Sequence, residues 1–315
     1  MYQEQRAVFI YCVSPVHMGA GTALGVIDNP IQRERHTDYP VFAGSGLKGA
    51  VRHDFWAQAK TMADEKAADD TVKRIFGPEP GEGGSDYAGA ISFSDAQLVC
   101  FPVRSMRQAF LYATSPTALA RAVRTLNLAG RSVSWTIPAL DPGRCLVSSM
   151  DACTDGRLPL EAFEFQAQEN PTVKNIADGL AGMAFPLANE FHFFAERMKK
   201  GLVVLNDEDF GYFVRNATVV EPHVRIDDET GTAEDGGLFY TENLPPESLL
   251  LAIVMASDER KKGNGRLKAK EVMDAVLRGR DEFKGLDQRM VQVGGDATTG
   301  RGQVVFKCVG GKENA

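Results

Sequence analysis

Asp28, set apart from the later acids Glu34, Asp38 and Asp54, stands in "GVIDNPIQRERHTDYPVFAGSGLKGAVRHDF" (25–55) with the cations Arg33, Arg35, Lys48 and Arg52. Those residue types suit phosphate chemistry: cations hold a phosphate, and a carboxylate beside it can orient a hydroxyl or a hydrated metal ion. A structural reading stays open, because Asp-Asn-Pro is also a turn in which the Asp side chain accepts from its own backbone. His17, on the loop "SPVHMGAGTALG", could move a proton near neutral pH, although loop histidines often have no catalytic part. Glu242 in "LFYTENLPP" ranks below it, since a Glu ahead of a Pro pair is usually exposed and solvated.

Glycine-rich stretches accompany these side chains. In "GAGTALG" the glycines are Gly19, Gly21 and Gly25, whereas the dinucleotide fingerprint needs one where Leu24 stands. "GSGLKGA" carries Ser45 and Lys48 but lacks the phosphate-loop spacing. Its backbone N–H groups would still open a helix toward an anion, with Arg52 one turn further on. A third stretch, "QVGGDATTGRGQV" (292–304), holds Thr298, Thr299 and Arg301. Each alone reads equally well as a tight turn. Together, near strand ends, they favour contact with a polyanion.

The 315 residues are 43% hydrophobic and 24% charged, enough for one large domain or two smaller ones with a full core. The net charge of −7 argues against a surface that coats nucleic acid everywhere, while allowing a local basic groove. Cys12, Cys100, Cys145, Cys153 and Cys308 are scattered with no CxxC pair, as expected of reduced structural thiols. No membrane span or signal peptide is legible, so a cytoplasmic protein with no membrane partner is expected.

The elements that must position these residues alternate without a repeat. Apolar runs predict strands at Arg6–Val13, from Ala88, at Leu202–Asp207, Ser248–Ala256 and Gly302–Val309. A helix starts at Ser45 or Gly44 and is expected to run on to Asp69 and Asp70. Ser115 and Pro116 start another, "EDFGYFVRNA" is a short third, and "LKAKEVMDAVLRGRDEF" is the last. Residues 130–173 read as short strands and polar turns, 78–86 as a flexible surface loop, and the tail from Gly310 as disordered. Alternation with an Asp-Glu-Thr-Gly turn predicts a hairpin in Ala217–Tyr240. The pattern is that of an α+β sheet covered on one face by helices, a ferredoxin-like βαββαβ core with insertions.

The blocks "SPVHMGAGTALGVIDNPIQRERHTDYPVFAGSGLKGAVRHDF", "GAISFSDAQLVCFPVRS" and "GGDATTGRGQV" together resemble the backbone-subunit family of type III-B CRISPR (Cmr) effectors, within the RAMP superfamily. This resemblance implies an RRM-like palm in a single domain over 1–315, a β-hairpin thumb at 217–245 and a helical or outer insertion at 101–175. It implies subunits stacked with other copies of themselves along a CRISPR RNA, among other Cmr subunits. Guide-paired target single-stranded RNA would be cut at regular intervals by a metal-dependent endoribonuclease, with Mg²⁺ or Mn²⁺ as cofactor. Asp28 would be the key carboxylate and metal ligand, with His17 and Glu242 as further catalytic candidates. Arg33, Arg35, Ser45, Lys48, Arg52, Gly294, Gly295, Thr298, Thr299, Gly300, Arg301 and Gly302 would contact RNA, and the thumb would wedge between bases. The loop has Gly46 where a second Ser is frequent, which leaves the phosphate contacts there open. A scaffold subunit that binds guide RNA without cutting is the alternative.

Overall fold

The computed structural model describes residues 2–79, 87–280 and 283–310. The chain opens with β1 (Glu4–Cys12), on the strand expected at Arg6–Val13, then β2 (Val41–Phe42), α1 (Gly44–Ala59) and α2 (Glu65–Phe76). The single helix expected from Ser45 to Asp70 is therefore two. Asp64 breaks it by accepting from the Ala67 N–H, so its side chain starts a new helix instead of extending the old one. β3 (Ile91–Phe93) and β4 (Ala96–Arg104) divide the expected strand at Asp95, whose carboxylate accepts the Gly44 N–H at 2.8 Å and caps α1 across space.

β5 (Phe110–Thr114) and α3 (Pro116–Leu128) follow, with Ser115 capping and Pro116 in the first turn as expected. Short strands β6 (Arg144–Val147), β7 (Arg157–Leu160) and β8 (Phe163–Glu169) fill the weakly patterned region. Two helices that the sequence reading passed over come next, α4 (Pro171–Ala184) and α5 (Asn189–Gly201). Asn170 and Pro171 announce α4 in the same way as Ser115 and Pro116 announce α3. β9 (Leu202–Leu205), α6 (Asp207–Asn216), the hairpin β10 (Val219–Ile226) and β11 (Ala233–Asn243), and β12 (Leu249–Ala256) continue the chain. α7 (Ala269–Leu277) is shorter than expected, because Gly279 takes φ +95° and starts the small pair β13 (Gly279–Arg280) and β14 (Phe283–Lys284). β15 (Met290–Gln292) and β16 (Gln303–Val309) complete the order. The surface loop expected at 78–86 and the tail from Gly310 lie largely outside the described residues.

Twelve strands form one sheet in the order β15-β16-β1-β12-β4-β5-β9-β6-β8-β7, with β2 beside β4 and β3 beside β12. Neighbours are antiparallel except β5 with β9 and β6 with β8. Helices cover both faces, which corrects the expectation of a one-faced sheet. Along β1, Val8, Ile10 and Cys12 enter a core with Leu47, Phe55 and Phe210, whereas Ala7, Phe9 and Tyr11 enter a second with Leu119, Ile176 and Leu180. The physical reason is in β1 and β12 themselves: runs apolar at successive positions bury both faces, so each face needs a cover. The hairpin β10–β11 stands outside this sheet as its own two-stranded unit. All five thiols are free, and burial raises their pKa values, that of Cys145 to about 12. Among the described residues no helix is long and apolar enough to cross a membrane.

Candidate nucleic-acid interface

The outer edge of β11, away from β10, is where the candidate residues meet. An edge strand leaves N–H and C=O groups that need partners, and here the 16–31 segment supplies them. The Tyr240 N–H donates to Asp28 Oδ2 at 2.7 Å, and the Tyr240 carbonyl accepts from the Asn29 N–H at 3.0 Å. Two residues on, roughly 7 Å along the strand, the Glu242 N–H donates to the Asn29 carbonyl and the Glu242 carbonyl lies 2.7 Å from His17 Nδ1. Asp28 and His17 are thus held from one short length of backbone. The carbonyl can only accept, so Nδ1 carries the proton and, in the neutral ring, Nε2 carries the free lone pair.

The third glycine loop locks onto the same place. The Gly295 N–H donates to the His17 carbonyl at 2.9 Å, and the Gly302 N–H to the Pro15 carbonyl at 2.8 Å. Gly294 has φ +82°, and a Cβ there would lie 2.4 Å from the His17 carbonyl oxygen, so only glycine fits. Residues 294–300 are exposed, Thr298 among them, and Thr299 Oγ1 turns back to the Asp296 carbonyl. Arg301 faces Glu221 on β10 through two bonds of 2.5 and 2.6 Å, tying the loop to the hairpin.

Two expectations change. Glu242 is not solvated: its side chain is 3% exposed, against 16% for that of Arg33, which pairs with it at 2.6 Å. Its carboxylate also accepts from Thr218 Oγ1 and the Ile31 N–H. Arg33 in turn donates to the Asp38 and Val214 carbonyls. The pair braces the junction between the 28–33 segment, α6 and β11, and neither side chain is presented to solvent as foreseen. The reason is spatial: a Glu with three donors around it is stable buried, and none of those donors is near it in sequence.

The α1 candidates adjoin this region through Gly46, where a Cβ would meet the Met18 methyl at 2.6 Å, and through Gln32, which bonds both the Gly19 carbonyl and the Ala43 N–H. Ser45 is exposed at the helix start. Lys48 is half-buried, and its amine is held below the ordinary lysine pKa first by burial and then by the charges of Arg52 and Arg260. Arg52 donates to the Gly77 carbonyl at 2.7 Å and lies 3.7 Å from Glu79. Arg35 is exposed. Sequence reasoning missed Tyr240, Asn29 and Glu221, whose parts here are played by backbone atoms or by a partner far along the chain. The strand alternation of the hairpin hinted at Tyr240 and Glu221, and no such pattern marked Asn29.

Among the described residues no three His, Cys, Asp or Glu side chains converge as a metal cage. Among the described residues Asp28 makes its one side-chain bond through Oδ2, and Oδ1 has no partner there. A half-buried carboxylate with one oxygen open fits an ion that keeps most of its water, as Mg²⁺ does.

A mixed sheet carrying a hairpin, with glycine loops gathered at the hairpin's edge, defines the class of protein. The chain belongs to the RAMP superfamily, which it matches over residues 9–305. It is 35% identical over 299 residues to the CRISPR system Cmr endoribonuclease Cmr4 of Pyrococcus furiosus, covering 94% of this chain and 93% of that one. It is 23% identical to the CRISPR system CMR subunit Cmr4 of Saccharolobus solfataricus, over 97% of each chain. The crystal structure of oligomeric Cmr4 from Pyrococcus furiosus superposes with a TM-score of 0.70 at 25% identity, over 98% of this chain and 100% of that one. The fold is also that of a chain in the type III-B Cmr-beta complex bound to cognate target RNA, with a TM-score of 0.68 at 19% identity, over 98% of each chain.

Proposed function

We propose that this chain is a backbone subunit of a type III-B Cmr effector: it stacks with copies of itself along a CRISPR RNA and cuts guide-paired target RNA as an endoribonuclease. The observation that carries this reading is the anchoring of Asp28 and His17 by neighbouring backbone groups of β11, in a chain whose 35% identical relative is named an endoribonuclease. On this reading β1, β12, β4 and their helices act as an RRM-like palm within a single domain, β10–β11 as the thumb and 101–175 as an outer insertion. The chain works in the cytoplasm with the other Cmr subunits.

RNA brings its own nucleophile. With the guide-target duplex kinked by the thumb, a displaced nucleotide can place its 2′-hydroxyl in line with the adjacent phosphate. His17 Nε2 takes the hydroxyl proton, the 2′-oxygen bonds to phosphorus, and the 5′-oxygen of the next nucleotide leaves with a proton from water. The products are a 2′,3′-cyclic phosphate and a 5′-hydroxyl. Asp28 would hold a hydrated Mg²⁺ or Mn²⁺, which when bound supplies positive charge at the phosphate. Glu242 and Arg33 act as positioning residues for β11. Ser45, Lys48, Arg52 and Arg35 take guide phosphates, contacts that are independent of base sequence, while pairing with the guide selects the target. The loop 294–302, exposed over residues 294–300, lies along the same path.

The test compares wild type with Asp28→Ala in complexes reconstituted on guide RNA, scored for target binding and for cutting with Mg²⁺ or with EDTA. The expected result is binding within about twofold and cutting reduced by roughly 10²-fold or more. Equal cutting by both proteins overturns the role of Asp28 and leaves this subunit either a scaffold or a nuclease whose chemistry lies on other residues.

A further inference from the structure

The segment from Ser257 to Lys270, "SDERKKGNGRLKAK", holds six cations and two acids in a chain of net charge −7. It joins β12 to α7 as an exposed loop. Its base is pinched shut. Glu259, 3% exposed at its side chain, receives two bonds from Arg74 on α2, at 2.9 and 2.7 Å, and one from the Leu267 N–H at 2.9 Å. The Glu259 N–H closes the ring on the Leu267 carbonyl, and Arg74 also reaches the Gly265 carbonyl. Burial works against the charge on Glu259, but the Arg74 and Leu267 bonds outweigh it and hold the carboxyl below its usual pKa range.

What this clamp displays is positive charge. Lys261 is paired with Asp70 and Lys268 with Asp258, and Arg266 lies near Asp258. Lys262, Arg266 and Lys270 are exposed with no ion-pair partner among the described residues. Among the described residues Arg260 bonds Ser257 Oγ alone, and it lies over the Tyr2 ring, on the side where its charge is felt by Lys48. The loop therefore continues the cationic surface of α1 instead of neutralising it. Exposed cations on a clamped loop, next to a half-buried lysine with no carboxylate partner among the described residues, form a site for closely spaced anions. A repeating phosphodiester chain fits that demand.

We propose that the 257–270 loop is a further binding surface for the RNA sugar-phosphate backbone, with Arg260, Lys262 and Arg266 as its phosphate-contacting side chains. This rests on the RNA-binding reading above. The test measures the salt dependence of affinity, for a single-stranded guide and for the guide-target duplex, with wild type, with K262A/R266A/R260A and with the control Lys174→Ala on α4. Loss of three phosphate contacts should lower the slope of log K against log salt by roughly 2 on a single strand, at 0.7 for each contact. The control should leave it unchanged. A reduced slope on the guide alone assigns the loop to the guide, and one seen only with duplex assigns it to the target strand. Identical slopes in the triple variant and wild type overturn the proposal while leaving RNA binding by the chain intact. No salt-dependent binding by wild type overturns the parent reading instead. Thermal unfolding of the triple variant within about 2 °C of wild type confirms that the loop's base is intact.

Discussion

At the scale of the residue, His17 is set by one backbone oxygen. The Glu242 carbonyl selects the tautomer whose Nε2 is free, a task no side chain needs to perform. His17→Ala is expected to lower cutting by roughly 10²- to 10⁴-fold, the range of general-base catalysis, with target binding unchanged. A 2′-deoxy nucleotide at the cut position should abolish cutting of that bond altogether, read on labelled target by gel. Cutting at a 2′-deoxy position would mean that water, not the RNA hydroxyl, is the nucleophile. Glu242 belongs to a different category, since its carboxylate is spent on Arg33, Thr218 and the Ile31 N–H. Glu242→Ala leaves Arg33 as an unpaired charge in a mostly buried place and should destabilise the fold by about 3 kcal/mol in urea unfolding. Glu242→Gln keeps the shape and part of the bonding, so it should recover much of both stability and cutting.

At the scale of the element, the site depends on a hairpin edge and a loop meeting. Gly294 is the contact point, with φ +82° and room for no Cβ against the His17 carbonyl. Gly294→Ala should cost about 1–3 kcal/mol from strain at a left-handed position. It should also reduce cutting more than its loss of stability explains, because relief of the clash moves His17. Assay at a temperature where the variant is fully folded by circular dichroism separates the two effects. The hairpin itself carries exposed Val220, Val224, Ile226 and Leu238. Register puts Val224 opposite Leu238 and Val220 opposite Glu242, so Val220, Val224 and Leu238 share one face of the ribbon, with Ile226 beyond a register shift. An apolar ribbon of this kind, outside the main core, suits insertion between stacked bases better than it suits solvent.

At the scale of the whole molecule, the acidic balance and the local basic surface are compatible because charge is sorted by place. Not every acid that folding desolvates is paired. Glu247, half-buried, sits at φ +68° with its buried Oε2 unbonded among the described residues, and burial raises its pKa from 4.5 to about 7. An acid whose folded pKa is raised binds more protons in the native state, so stability falls as pH rises from about 4.5 and levels off above about 7. Glu247→Gln removes this dependence. Discounted for partial solvent screening, it should stabilise the chain on the order of 1–2 kcal/mol at pH 8 and by little at pH 4.5, measured as urea midpoints at the two pH values.

Local patterns determined much of this protein. The runs of β1, β12 and β16, the Ser115-Pro116 helix start, the hairpin turn and the glycine loops are all short-range signals, because periodicity, capping and positive φ act over a few residues. The weight on Asp28 and His17 came from their company of cations and glycines and from the family resemblance. Only the tertiary structure decided the rest. Asp95 caps α1 from the break between β3 and β4, and Arg74 closes a loop by pairing with Glu259 far along the chain. Glu242 is buried because Arg33 meets it, and Asp28 and His17 converge because one strand edge needs hydrogen-bond partners. Such contacts depend on which groups folding brings within about 3 Å of each other, and no spacing along the chain encodes that distance.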